Sequence, residues 1–334
     1  MTSPVHAHLD HILRTSGIYE LTPADRELAS SDLAQFIYRQ VVRKSFRKWR
    51  IDEETQRRIT RSIALNMEKK EPIQFSFPFG AYKGWNLPSA PGVDWAEFFS
   101  LAYYIQYMAP IAAAYEPGCT FSFVGDDIIV PRLDNIPAEK VAEWSKGFES
   151  LLAAFRLHLP SNIRVELRHV GEFYTPEEFS KELKEKYPEA KAEWDGWSDE
   201  QKASHIASSR HNICWNGIED LTQLSEKEKE EKIIDSALMH NAYRHLSRRK
   251  AFTRAEQRIA IFPRPIASYA VPLGTTKSSA VYFWVGVGVL EQREKKFVER
   301  IFSFDQYEKV KASLRAATVS IPDIPFETIP ILSS

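Results

Sequence analysis

Residues 75–134 read FSFPFGAYKGWNLPSAPGVDWAEFFSLAYYIQYMAPIAAAYEPGCTFSFVGDDIIVPRLD, and the fold class follows from this stretch. The apolar run Ile73–Phe79 has the length and aromatic content of a buried strand. It leads into a loop over residues 80–92 that carries Tyr82, Trp85 and Asn86. A helix is expected from Asp94, because Phe98, Leu101, Ile105 and Met108 draw one apolar stripe. Pro110 is expected to end or kink that helix. Residues 119–124 read as a second strand, followed by Gly125-Asp126-Asp127 and a short apolar run at 128–130.

Strand, loop, helix, strand is the unit of an α/β fold, in which ligands sit at the carboxyl ends of strands. Strand-to-helix connections are usually about 2–6 residues long, and longer ones often carry function. The loop at 80–92 is therefore the first place to look for a site.

Working outward, Asn135-Ile136-Pro137 opens a helix whose buried stripe is Val141, Trp144, Phe148, Leu151 and Phe155. Residues 162–170 alternate apolar and charged side chains, as a half-exposed strand near a sheet edge does. The order so far is β-α-β-α-β. Residues 175–232 are charged and tryptophan-rich and read as a helical insertion. Its Trp197 and Trp215 either line a pocket or simply pack. A long helix is expected over about 230–250, with His240 and Arg244 sharing a face. Arg248, Arg249 and Lys250 would then be favourable cations at its carboxyl end. Strand-like runs follow at 258–262, 267–273 and 280–290. Between the last two, residues 274–279 (GTTKSS, with Lys277) form either a plain turn or a phosphate cradle. A last helix starts at Ser303 with Gln306 in capping-box spacing. The tail at 321–334 is expected to lie extended over the surface.

The first 70 residues read as a helical cover packed on the core, and 71–320 as the α/β domain that holds the site. His6, His8, Asp10 and His11 have metal-ligand spacing, but solvated side chains near a terminus explain them more simply. Residues 39–61 hold nine basic against three acidic residues. That run is either a polyanion-binding face or a solvated helix face.

Composition narrows the function classes. The 334 residues are 43% hydrophobic and 27% charged, enough for one large core or two smaller ones. With 44 Lys and Arg against 45 Asp and Glu, the net charge of −1 supplies no field toward nucleic acid or an anionic membrane. Neither is expected as a partner. Cys119 and Cys214 stand alone, which excludes a disulfide framework and a CxxC motif. No signal peptide or bilayer-length apolar stretch is seen, so a cytoplasmic location is expected.

Several residues suit chemistry. Asp94 and Glu97 fit an N-cap with its reciprocal partner, and Glu97 also stands where it would meet a substrate amine. Asp126 and Asp127 are either ordinary turn residues or a carboxylate pair whose environments split them into proton donor and acceptor. Lys83 lies on the loop beside Tyr82. Arg132 and Arg264 each adjoin a proline after an apolar run, which suits either bidentate capture of a carboxylate or phosphate or a surface ion pair.

The order Phe77-Pro78-Phe79, Asp94-x-x-Glu97, Tyr115-x-Pro117-Gly118 and a strand ending at Asp126 resembles the isocyanide (isonitrile) synthases of the pyoverdine/dityrosine biosynthesis (PvcA/Dit) type. The similarity spans residues 75–155, with a weaker echo at 258–290. In that family a lysine follows Phe-Pro-Phe directly, whereas Gly80-Ala81-Tyr82 precede Lys83 here. The family's Arg-x-Ser-Ile-His-Pro stands here as Arg258-Ile259-Ala260-Ile261-Phe262-Pro263, without the histidine. Its later Pro-Trp-His has no counterpart near Tyr282-Phe283-Trp284.

The resemblance implies a Rossmann-like mixed sheet flanked by helices and an enzyme of secondary metabolism. Such enzymes convert the amino group of an amino acid to an isocyanide. Ribulose 5-phosphate supplies the carbon, with no metal or redox cofactor. On that reading Lys83, Arg132, Arg264 and Lys277 would meet the sugar phosphate, and His240 and Arg244 would line the same site. Asp126, Asp127 and Glu97 would move protons, and Phe79, Tyr82 and Trp85 would hold the amino acid. The alternatives are a non-catalytic sugar-phosphate or nucleotide-binding protein, and a polyanion-binding protein.

Overall fold

A computed structural model describes residues 3–80, 83, 92–263, 269–294 and 296–333. Five strands, β1 (Ile73–Phe79), β2 (Cys119–Gly125), β3 (Ile163–His169), β4 (Arg258–Phe262) and β5 (Ala270–Pro272), form one sheet in the order 3-2-1-4-5. Each neighbouring pair is parallel, so this layer is a Rossmann-like parallel sheet. β3 takes the edge position that its alternation predicts.

The period of two in β1 decides which helices cover it. Ile73, Phe75, Phe77 and Phe79 point to one face, toward α5 (Trp95–Ala114) and α7 (Ala138–Arg156). There Phe75 meets Tyr107, Phe77 meets Tyr104, and Phe79 meets Trp144 and Phe148 at ring-centroid distances of 5.6, 5.3, 5.2 and 5.5 Å. Such pairs add about 0.5–1.5 kcal/mol each beyond area burial. On the other face Ser76 Oγ donates to the carbonyl of Thr253 at 2.5 Å, in α11 (Ser247–Thr253). α4 (Glu53–Lys69) packs there as well.

α5 departs from its expected single stripe. It is buried on all sides, because the parallel sheet, a second sheet and α3 (Leu33–Val41) surround it. It also continues through Pro110 to Ala114. A proline there leaves the Gln106 carbonyl without its helical donor. Arg43 fills the gap, reaching the carbonyls of Gln106 and Tyr107 at 3.4 and 3.0 Å.

The second sheet contains β6 (Gly286–Arg293), β7 (Lys296–Ser303), β8 (Leu314–Thr318) and β9 (Thr328–Ser333), ordered 7-6-9-8. β9 corrects the expected surface tail. Ile329 and Ile331 are fully buried, and the strand pairs parallel with β6 and antiparallel with β8. The run expected from 280 begins as strand only at Gly286, after a 3-10 turn at Phe283–Val285. β7 has no counterpart among the expected strands, since only its last residues are well buried.

The helical insertion is present as α8 (Pro176–Asp195), α9 (Asp199–Asn212) and α10 (Glu226–Tyr243). The single helix expected at 230–250 is two, because α10 ends at Tyr243. A carboxylate from α8, Glu182, takes the free N–H of Ser247 at 2.5 Å and so starts α11. Trp197 packs on Trp194 and His205, and Trp215 on Ile213, Leu221 and Ile233. α1 (Pro4–Thr15) and α2 (Pro23–Ser31) complete the amino-terminal cover. α6 (Ile129–Asp134) and a short α12 (Phe304–Val310), capped by Ser303 and Gln306, complete the helices named here. Among the described residues no group of side chains has the makings of a metal site. His8 instead pairs with Glu299 at 2.8 Å, and Asp10 with Arg14 at 2.8 Å. No helix of the described residues is long and apolar enough to cross a membrane.

Candidate functional site

From β1 the chain steps outward to β2 and β3, then returns to the other side of β1 for β4 and β5. The strand order therefore reverses between β1 and β4, and the crevice outside their carboxyl ends is where such folds bind ligands. Phe79 and Gly125, the last residues of β1 and β2, stand side by side, and Asp126 N–H donates to the Phe79 carbonyl at 3.1 Å. Two buried polar clusters grow from these strand ends.

The first follows β1. Asp94 caps α5 and Glu97 returns the bond to the Asp94 N–H at 2.9 Å, which is the expected capping box. Lys83 reaches into it, donating to Asp94 Oδ1 at 2.5 Å and Glu97 Oε2 at 2.6 Å. Both Lys83 and Glu97 are fully buried. β6 closes over them, and the Gly288 N–H faces Asp94 Oδ2 at 3.4 Å. A Cβ at position 288 would lie 2.3 Å from the backbone of Trp95 and Ala96, so only glycine permits this approach. Burial raises the Glu97 pKa to about 8; Lys83 opposes the rise and Asp94 adds to it. Glu97 thus holds a proton at neutral pH. Its Oε1 has no partner among the described residues. The amine that Glu97 binds is the chain's own.

The second cluster follows β2. Asp126 is buried and accepts from the Tyr243 hydroxyl at 2.5 Å. The Arg249 guanidinium lies 4.0 Å over the Tyr243 ring and 3.9 Å from Asp126 Oδ1, and its Nε has no hydrogen-bond partner among the described residues. Burial raises the Asp126 pKa to about 6, against the pull of Arg249, Tyr243 and His240. His240 Nε2 sits 2.9 Å from Asp134 Oδ2, and Ser236 Oγ donates to Asp134 Oδ1 at 3.2 Å. Burial alone would lower the His240 pKa, but Asp134 and Asp126 outweigh it and leave it raised. Asp126, Tyr243, Arg249 and His240 form a set that can hold and move a proton beside a cation.

The other singled-out residues fall elsewhere. Asp127 turns away from Asp126, and its carboxylate accepts the Gly171 N–H at 3.0 Å. Phe79 is a core residue packed among Phe123, Trp144, Phe148 and Phe283. Arg132 is exposed. Arg244 caps the carboxyl end of α10, half-buried, and donates to Asn241 Oδ1 at 3.3 Å; it and His240 both lie near His205. Lys277 is exposed in a turn closed on itself, where the N–H groups of Thr275 and Thr276 are both spent on the Ser279 carbonyl. Tyr82, Trp85 and Arg264 lie outside the described residues. Tyr243 and Asp134 carry no motif in the sequence, and Arg249 reads there only as a helix-end cation. The one available signal was that Tyr243 lies three residues after His240, hence on the same side of a helix.

No known family model and no curated relative matches the sequence. The structure is similar to the crystal structure of the PvcA protein from Pseudomonas aeruginosa, with a TM-score of 0.63 and 16% sequence identity. The similarity covers 90% of this chain and 99% of that one. At that identity what is shared is the architecture, and the chain has the α/β fold of PvcA-like proteins.

Proposed function

We propose that the protein is an isocyanide-synthase-like enzyme, joining the amino group of an amino acid to a carbon of ribulose 5-phosphate. The observation that carries this reading is the buried set Asp126, Tyr243, Arg249 and His240 at the carboxyl end of β2, beside the strand-order reversal. Imine formation needs a group that gives a proton to the carbonyl oxygen, which leaves as water, and takes one from the nitrogen. A carboxyl with a pKa of about 6 does both near neutrality, and Asp126 is that group. Tyr243 fixes its orientation, and Arg249 supplies positive charge beside it. Lys83 has a positioning role, holding Asp94 and Glu97 at the head of α5. The fold shared with PvcA supports the family; the substrates come from the resemblance in sequence.

The test is incubation of the purified protein with tyrosine or tryptophan and ribulose 5-phosphate, followed by mass spectrometry for the isocyanide. Product is expected with the native chain and at least a hundredfold less with Asp126→Asn. Saturable binding of ribulose 5-phosphate with no product from any amino acid would favour the sugar-phosphate binder. An extended polyanion face over residues 39–61 loses Arg43 and Arg47, which donate to backbone carbonyls.

A further inference from the structure

A cavity of about 310 Å³ lies between α4, the turn joining α11 to β4, and Tyr269 ahead of β5. None of Lys83, Glu97, Asp126 or Tyr243 lines it. Five arginines line it, Arg57, Arg58, Arg61, Arg254 and Arg258, against two glutamates, Glu54 and Glu256. The pairing is uneven. Arg57 and Arg58 share the single carboxylate of Glu54, at 3.1 and 3.4 Å, while Arg61 takes Glu256 at 2.8 Å. Arg254 has no carboxylate at ion-pair distance among the described residues, and Arg258 meets the Glu166 carboxylate only through the Ser122 hydroxyl. Arg254 donates to the Tyr269 hydroxyl at 2.7 Å with its guanidinium 3.8 Å over that ring. Arg258 donates to Ser122 Oγ at 3.0 Å and lies over Phe252.

Arg254 and Arg258 are also the more buried of the five. Burial pulls the Arg258 pKa down to about 10, with the Glu166 carboxylate opposing the shift. Burial likewise lowers that of Arg254, and the like charges of Arg249, Arg244 and Arg58 add to the effect. Concentrated positive charge of this kind in a walled hollow is stabilised by an anion. The planar donors of arginine match phosphate oxygens two at a time. The volume lies at the lower end of the range of small-molecule sites.

We propose that this cavity binds the phosphate end of a small phosphorylated molecule, as a site separate from the one at the strand ends. It is independent of the isocyanide-synthase reading, since it requires no turnover and shares none of the residues of the Asp126 cluster.

The experiment is isothermal titration of the full chain with inorganic pyrophosphate, at fixed ionic strength in a chloride buffer. Saturable binding at one site is expected, weakened about tenfold or more by Arg254→Met and about threefold by Arg57→Met, whose side chain is mostly exposed. Asp126→Asn is expected to bind pyrophosphate as the native chain does. Each protein is first melted thermally, and the Arg57 variant carries the test if the Arg254 variant does not fold. Absence of saturable binding overturns the proposal. So does binding unchanged in the arginine variants, or binding lost in Asp126→Asn, which would move the anion to the strand-end cluster.

Discussion

Replacing Lys83 by methionine tests the buried knot at the head of α5. Burial raises the Glu97 pKa to about 8, so at pH 7 this carboxyl favours its protonated form beside Lys83 and Asp94. Methionine keeps the volume but leaves Asp94, at 6% exposure, without its cation and with the backbone N–H groups of Ala96, Glu97 and Gly288 facing it. Removing one partner of a buried pair costs about 3–5 kcal/mol, a large part of the roughly 5–15 kcal/mol that holds a domain together. Urea unfolding at pH 7, read as the transition midpoint at unchanged slope, measures it. The double variant Lys83→Met with Asp94→Asn is expected to recover about half of the loss, because an amide still caps the helix. A second arm varies pH. Glu97 keeps its proton in the folded chain up to about pH 8 but releases it near 4.5 when unfolded. The unfolded state therefore binds fewer protons across that window, and stability falls as pH rises from about 4.5 toward 8. Glu97→Gln is expected to flatten that slope. A loss below about 1 kcal/mol for Lys83→Met, the value of a surface pair, would refute the reasoning.

Tyr243→Phe removes a bond to the charged form of Asp126, so its pKa is expected to rise above about 6. The change is read from carboxyl carbon shifts across a pH titration, with a stability loss of about 1–3 kcal/mol. Gly288→Ala puts a methyl 2.3 Å from the backbone of α5 and is expected to lower stability by about 3 kcal/mol, measured by urea unfolding. Ending the chain at Glu327 exposes the partners of Ile329 and Ile331. At about 1.5–3 kcal/mol per buried side chain, the loss of about 3–6 kcal/mol should appear as a lower thermal midpoint.

What the sequence reveals is largely what is local. β1 keeps its expected bounds because its alternation needs no distant partner to be recognised, and the Asp94–Glu97 cap because its donors lie within one turn. Lys83 was in view as a loop cation, yet its burial depends on β6 arriving from about two hundred positions further along the chain. The Asp126 cluster is hidden for the same reason: Tyr243 is 117 residues away in sequence. Arg249 reads as a dipole-stabilising cation on one continuous helix, whereas the break between α10 and α11 turns it toward Asp126. Phe79 shows the opposite error, since an aromatic beside a loop is in fact filled in by Trp144 and Phe148. Pro110 misled because the remedy, Arg43, belongs to another element.

The position of β9 bears on how the molecule is made. It lies between β6 and β8, so neither of those strands has its inner neighbour until residues 328–333 have left the ribosome. Its first residue also accepts the indole N–H of Trp95 at 2.8 Å, in the opening turn of α5. The parallel sheet can assemble during translation, while the layer that seals Lys83 waits for the end of this stretch. Nascent chains halted before position 328 should accordingly present β6 and β8 edges that a chaperone, or another copy, can pair with.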